Sequence, residues 1–309
     1  NYGSSGNKGE ISVFNEDSKE LTNDAYKLAN GSYIGANITH ASLSGSRLYV
    51  CATNPDKIEV LDATSLIKSR VVSGSAIVRP QFFLPYDDQA YVACQGSDAV
   101  TFKKGCILVL STNNWSLMDS IHVPGNPVSL ARVGVKIYTA VSSTNKLYIV
   151  DIHMKKVTDS IALPAIPGDL VVDNSNNLWV SLTNTYTNDF NIDKLGLCVI
   201  KTENDSIMTT MYNDKVGTLG KLSITGDKKQ IFIAGFAYNQ GYVYGADVEQ
   251  RVMNITHIMT VNYLSSIAVN PNSGVIYTTS DYGSSNSGEL KYFNSDGSNS
   301  GNKTVGFSP

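Results

Sequence analysis

Residues 58–62 read IEVLD, and a window of the same kind returns along the whole chain. Its other copies are ISVFN (11–15), ILVLS (107–111), LYIVD (147–151), LCVIK (197–201), VYGAD (243–247) and LKYFN (290–294). Successive copies start 47, 49, 40, 50, 46 and 47 residues apart. Most are β-branched or aromatic and end on Asn, Asp or Ser, which is strand chemistry followed by turn chemistry. A near-fixed period of this size marks a repeat fold rather than a set of unrelated domains.

Two further windows repeat in phase with the first. RLYVCA (47–52), QAYVAC (89–94), KIYTAV (136–141), NLWVSL (177–182), QIFIAG (230–235) and VIYTTS (275–280) each carry an aromatic third. Those rings, Tyr49, Tyr91, Tyr138, Trp179, Phe232 and Tyr277, suit packing between neighbouring sheets. Before them come ITHASLSG (38–45), PVSLARVG (127–134), GDLVVDNS (168–175), GKLSITGD (220–227), SSIAVNPN (265–272) and the looser RPQFFLPY (79–86). A fourth strand follows each first window, as in MDSIHV (118–123) and TDSIAL (158–163).

Four short strands per unit with no helical periodicity predict an all-β, seven-bladed β-propeller of four-stranded blades. The third strand occurs seven times, the first and second only six. Residues 1–35 and the C-terminus are therefore expected to share the seventh blade. VGFSP (305–309) resembles VPGNP (123–127) at the start of a unit. Residues 1–309 read as one domain, with units at about 36–75, 76–125, 126–166, 167–215, 216–261 and 262–305.

Composition narrows the function classes. The net charge is −3 with no basic block, which argues against a nucleic-acid partner. Apolar runs such as IALPAI (161–166) are too short to span a bilayer. Cys51, Cys94, Cys106 and Cys198 form no C-x-x-C and read as small buried hydrophobes, although Cys94 and Cys106 stand where one hairpin can pair them. The four histidines show no ligand spacing, and neither a metal site nor a cofactor is expected.

The candidate site is the face carrying the loops from second to third strand and from blade to blade. Its candidate ligand-binding residues are Tyr2, Asn54, Phe102, Asn145, Tyr186, Phe190, Phe236, Tyr238, Tyr263 and Tyr282. Aromatic rings among amides and hydroxyls suit a large, neutral, polar ligand such as a sugar or a tetrapyrrole-like molecule. NYGSSGNKGEISVF (1–14) and DYGSSNSGELKYF (281–293) repeat one phrase, so ring closure would set Tyr2 beside Tyr282. No nucleophile–base order and no GxSxG elbow appears. The innermost strands offer Asn37 and Asp169 and little else for a metal-centred hydrolase.

Three runs carry a family resemblance: NYGSSGNKGEISVFN (1–15), LTNDAYKLANG (21–31) and RLYVCATNPDKIEVLDATSL (47–66). With SSIAVNPNSGVIYTTSDYGSSNSGELKYFNSDG (265–297), they resemble the YncE-like, surface-layer-type propeller lipoproteins of Bacteroidetes. That resemblance implies a secreted outer-membrane surface lipoprotein, monomeric and non-enzymatic. It also implies a captured small molecule or glycan, a corrinoid in one branch of the family, passed to a TonB-dependent transporter. The alternatives are a protein-interaction scaffold and a propeller hydrolase or lyase.

Overall fold

Each of six repeats folds as one antiparallel sheet whose strands pair in chain order. The computed structural model describes residues 8–98, 104–183, 195–213, 219–237, 239–254, 256–283, 286–307 and 309. Blade 1 comprises Ala36–Ser44, Arg47–Asn54, Asp56–Asp62 and Lys68–Val72. The first strands of blades 2 to 6 are Pro80–Tyr86, Pro127–Val133, Ile166–Val172, Leu219–Ile224 and Leu264–Val269. These first strands pack successively against one another from blade 1 to blade 6, so they line the axis. In blade 5 the outer position is divided between Val252–Met253 and Met259–Asn262, both paired with Gln240–Asp247.

The repeated aromatic column forms the wedges between blades. Tyr49, Tyr91, Tyr138, Trp179 and Phe232 are buried in clusters that each draw on two neighbouring blades. Rings at one register bury the most area where two twisted sheets face each other. Trp179 donates its indole N–H to Asp173 Oδ2 (3.0 Å), and the Tyr138 hydroxyl donates to Asp205 Oδ1 (2.5 Å). The sixth ring, Tyr277, is half-buried because it faces the seam.

The seam corrects the expected blade count. The described residues form six complete blades, not seven, and between blades 6 and 1 lies a two-stranded ribbon, Val13–Phe14 with Leu21–Thr22. Nor do the termini share a sheet among the described residues. Residues 299–307 form the outer strand of blade 6 itself, with Val305 opposite Gly288. VGF (305–307) is therefore strand and not the start of a new unit.

The ribbon is tied to both neighbours. Towards blade 6, the Phe14 ring lies 4.9 Å from Tyr292 and 6.0 Å from Tyr277. Glu16 Oε2 accepts from Tyr277 (2.5 Å) and Asn270 (2.7 Å), and Tyr277 foremost among these bonds holds the carboxyl below its usual range. Towards blade 1, Gly9 bridges Gly35, and the ribbon is followed by a short helix, Ala25–Asn30, that periodicity did not announce. Gly31 ends that helix at φ +72°, a left-handed position glycine adopts freely. Burial raises the Glu10 carboxyl even though backbone N–H groups of Ile11, Tyr26 and Lys27 bond to it. The buried Tyr26 hydroxyl donates to Glu59 Oε2 (2.5 Å), whose carboxylate also meets Lys57 (2.5 Å).

Candidate functional site: the loop face and the axial layer beneath it

Every first strand contains a register shift at the same level. It falls between Ile38 and His40, Pro80 and Phe82, Pro127 and Ser129, Pro167 and Leu170, Leu219 and Lys221, and Leu264 and Ser266. A β-bulge inserts a residue, bends the strand and re-aims the side chain that follows. Gly220 occupies one bulge at φ +58°, and a Cβ there would lie 2.7 Å from Thr183 Cγ2. Each bulge sits near the start of its strand, where the chain arrives from the loop face. The six bulges therefore form one layer around the axis just below that face.

Neighbouring blades are tied through this layer. The imidazole of His40 stacks on Phe82 with centroids 3.8 Å apart, and its Nδ1 accepts the Phe83 N–H (3.3 Å). Because Nδ1 accepts, the neutral ring carries its proton on Nε2. Burial, and then the Lys221 charge, lowers the His40 pKa to about 4. The equivalent tie three blades on is anionic. Asp169 Oδ2 accepts the Leu222 N–H (3.2 Å), and Asp169 Oδ1 stands 3.5 Å from Lys221 Nζ. Thr39 Oγ1 adds a bond to Pro80 O (2.7 Å). The layer thus holds a neutral imidazole N–H and an ammonium as donors. Of these side chains only Asp169 stood among the sequence expectations. His40 and Lys221 are found by aligning ITHASLSG with GKLSITGD on their bulges.

Above the layer, the connections at the entry to blade 6 bring two of the expected residues together. Tyr263 and Tyr282 meet edge to face with ring centroids 5.2 Å apart. Tyr263 has φ +52° and is 38% exposed, so its ring remains open to solvent. Asp281 N donates to Tyr263 O (2.8 Å), fixing the loop after the second strand to the loop between blades. The Tyr282 hydroxyl donates to Glu289 Oε2 (3.0 Å), and its pKa is raised, by burial first and then by that bond.

The remaining expected residues are distributed differently. Asn145 Nδ2 bonds Leu163 O (3.0 Å), so its amide holds the link between two blades. Asn54 is exposed at the end of its strand, opposite Ala36. Phe236 and Asn54 were expected in loops, but hairpin pairing reaches them: Phe236 lies opposite Gly241, and Thr53 lies opposite Asp56. Tyr2, Phe102, Tyr186, Phe190 and Tyr238 lie outside the described residues. The expected neighbour of Tyr282, Tyr2, is among these, and the ring that meets Tyr282 is Tyr263. Asn126 lies in the link from blade 2 to blade 3. It is buried, and its Oδ1 has no partner among the described residues.

The opposite face has a polar cleft of about 710 Å³ between blades 5 and 6, lined by Thr225, Asp227, Gln230, Asn254 and Asn272 among others. Thr225 and Asp227 bond each other there, so part of its polar surface is already paired. Among the described residues, no group of three or more His, Cys, Asp or Glu side chains is placed to hold a metal ion.

The family described as Domain of unknown function (DUF5074) matches residues 2–304, and the chain belongs to that family. No curated protein matches. Among solved structures, a quinonprotein alcohol dehydrogenase-like protein from Bacteroides thetaiotaomicron VPI-5482 aligns with a TM-score of 0.73 at 11% identity, covering 97% of this chain and 74% of that one. Hydrazine synthase of Kuenenia stuttgartiensis aligns with a TM-score of 0.69 at 16% identity, covering 84% and 77%. The β-propeller domain of Myceliophteria thermophila Cps50 (Swd1) aligns with a TM-score of 0.62 at 10% identity, covering 86% of each. At these identities the likeness is one of fold, and it supports a β-propeller.

Proposed function

We propose that this DUF5074 propeller is a non-enzymatic ligand-capture protein that takes its ligand on the loop face at the entry to blade 6. The observation that carries the reading is the Tyr263–Tyr282 pair, an open aromatic platform held by backbone bonds at the mouth of the axis. An edge-to-face pair with one exposed ring gives a flat apolar surface at little cost in side-chain freedom. Beneath it, the His40 Nε2–H and the Lys221 ammonium offer donors to an acceptor-rich edge. A ring-bearing, polar, uncharged ligand suits both, and a corrinoid or a glycan has that chemistry.

The resemblance to YncE-like surface propellers extends the proposal to a lipoprotein at the outer-membrane surface, delivering its ligand to a TonB-dependent transporter. The test is equilibrium dialysis of the protein against cobalamin and against a panel of neutral oligosaccharides. Retention of one ligand class, lost in the Tyr263→Ala/Tyr282→Ala variant, supports the reading. Equal distribution of every ligand across the membrane overturns it.

A further inference from the structure

The hairpin of Gln89–Cys94 and Cys106–Ser111 in blade 2 sets two thiols directly opposite one another, with Cys94 and Cys106 as register partners. Both are free. The N–H of Gln95 points away from this hairpin, to Arg79 O on the inner strand, so Cys94 and Cys106 face each other as a hydrogen-bonded pair. Such a pair has a Cα separation of about 5.5 Å, inside the roughly 4.4–6.8 Å that disulfides span. The two thiols already bond to each other.

Their surroundings differ in a way that orders the chemistry. Cys94 is fully buried, whereas Cys106 is partly exposed. The bond from Cys94 foremost, with help from Ser120, lowers the Cys106 pKa to about 7 against the effect of burial, while the Cys94 thiol is pushed up. His122 is the register partner of Cys106 on its other side. Cys51 and Cys198 are buried, and burial raises both thiols, Cys198 to about 11.

We propose that Cys94 and Cys106 form a reversible dithiol–disulfide site, oxidised by exchange with an external disulfide. The Cys106 thiolate attacks one sulfur of that disulfide. The S–S bond breaks, and the other sulfur leaves as a thiolate that takes up a proton. Cys94 then gives up its proton, and its thiolate attacks Cys106 Sγ. The Cys94–Cys106 bond forms and the second external thiol is released. Two electrons pass from the protein thiols to the external disulfide, which ends as two thiols.

The bond closes the base of the 95–105 loop, one of the longest on the loop face. Cβ atoms of a hydrogen-bonded pair stand near the wide end of about 4.5–5.5 Å, beyond the roughly 3.5–4.5 Å a relaxed disulfide takes. The bond is therefore strained and easily reduced, as a reversible site requires.

The experiment incubates the folded protein with oxidised and reduced glutathione at graded ratios, quenches by alkylation and reads the intact mass and the linked peptides. The expected result is a loss of about 2 Da for one intramolecular disulfide, undone by dithiothreitol. Mapping should link Cys94 to Cys106 and leave Cys51 and Cys198 unmodified. Cys94→Ser should stop at a glutathione adduct on Cys106, and Cys106→Ser should give no adduct. The proposal is overturned if wild-type protein keeps the adduct on Cys106, if Cys94 links to Cys51 instead, or if no thiol of the folded protein reacts.

Discussion

Asp169 and Lys221 stand at the same place in consecutive inner strands, each at the β-bulge of its own blade, and their side chains meet across the boundary at 3.5 Å. His40 and Phe82 repeat the relationship between blades 1 and 2 as a ring stack. In both pairs the first residue also accepts the N–H one position beyond its partner, Leu222 or Phe83. One structural rule, a side chain at the bulge tying the next blade, thus operates with two chemistries.

The two bonds of Asp169 should differ in worth. Its ion pair with Lys221 is partly open to solvent, while its bond to the Leu222 N–H reaches a buried residue. Asp169→Ala should destabilise the fold by about 1–3 kcal/mol, the cost of stranding a buried donor. Lys221→Ala should cost at most about 1 kcal/mol. Urea denaturation of both variants checks the order, and a larger loss for Lys221→Ala would reverse the assignment.

His40 predicts acid sensitivity. Its pKa is lowered from 6.5 to about 4 in the folded chain, so the unfolded chain binds the proton first. Its contribution is fully present above pH 6.5 and is lost as pH falls toward 4. The full shift corresponds to about 3 kcal/mol. His40→Gln should flatten the stability profile between pH 7 and pH 4 relative to wild type, as read from melting temperatures. An unchanged slope would mean that His40 does not titrate as its surroundings imply.

The seam depends on the helix beside it. Tyr26→Phe keeps the ring in its buried place but removes the hydroxyl that donates to Glu59. Because Glu59 is fully buried and its other side-chain partner among the described residues is Lys57, the loss should be about 1–3 kcal/mol. Hydrogen exchange should locate the loosening in residues 25–34 and leave the middle blades protected. Uniform loosening of all blades would show instead that the seam is not a separate unit.

The strand order could be read from sequence because its cause is local. Alternation and turn residues mark each strand, and one aromatic register marks each wedge, so IEVLD and five of its six copies fall on third strands as expected. The blade count was harder. ISVFN has the chemistry of a third strand, and its Val13–Phe14 does pair, but only with Leu21–Thr22. Nothing in VGFSP distinguishes the end of one strand from the start of a new blade. His40 was hidden for a different reason. A bulge shifts register without altering composition, so ITHASLSG reads as plain alternation while the fold turns His40 toward Phe82. The Tyr263–Tyr282 contact joins loops of successive strands at the entry to blade 6, and repeat alignment assigns each a face but not a neighbour.

Capture at the Tyr263–Tyr282 platform is the central claim, and isothermal titration calorimetry tests it most directly. Wild-type protein and the Tyr263→Ala/Tyr282→Ala variant would be titrated with cobalamin and with neutral oligosaccharides, after circular dichroism shows that both are folded. The account predicts saturable binding of one class below about 100 μM, weakened at least about tenfold in the variant, a change near 1.4 kcal/mol. Binding of equal strength in wild type and variant, or no saturable heat from any ligand, would contradict it.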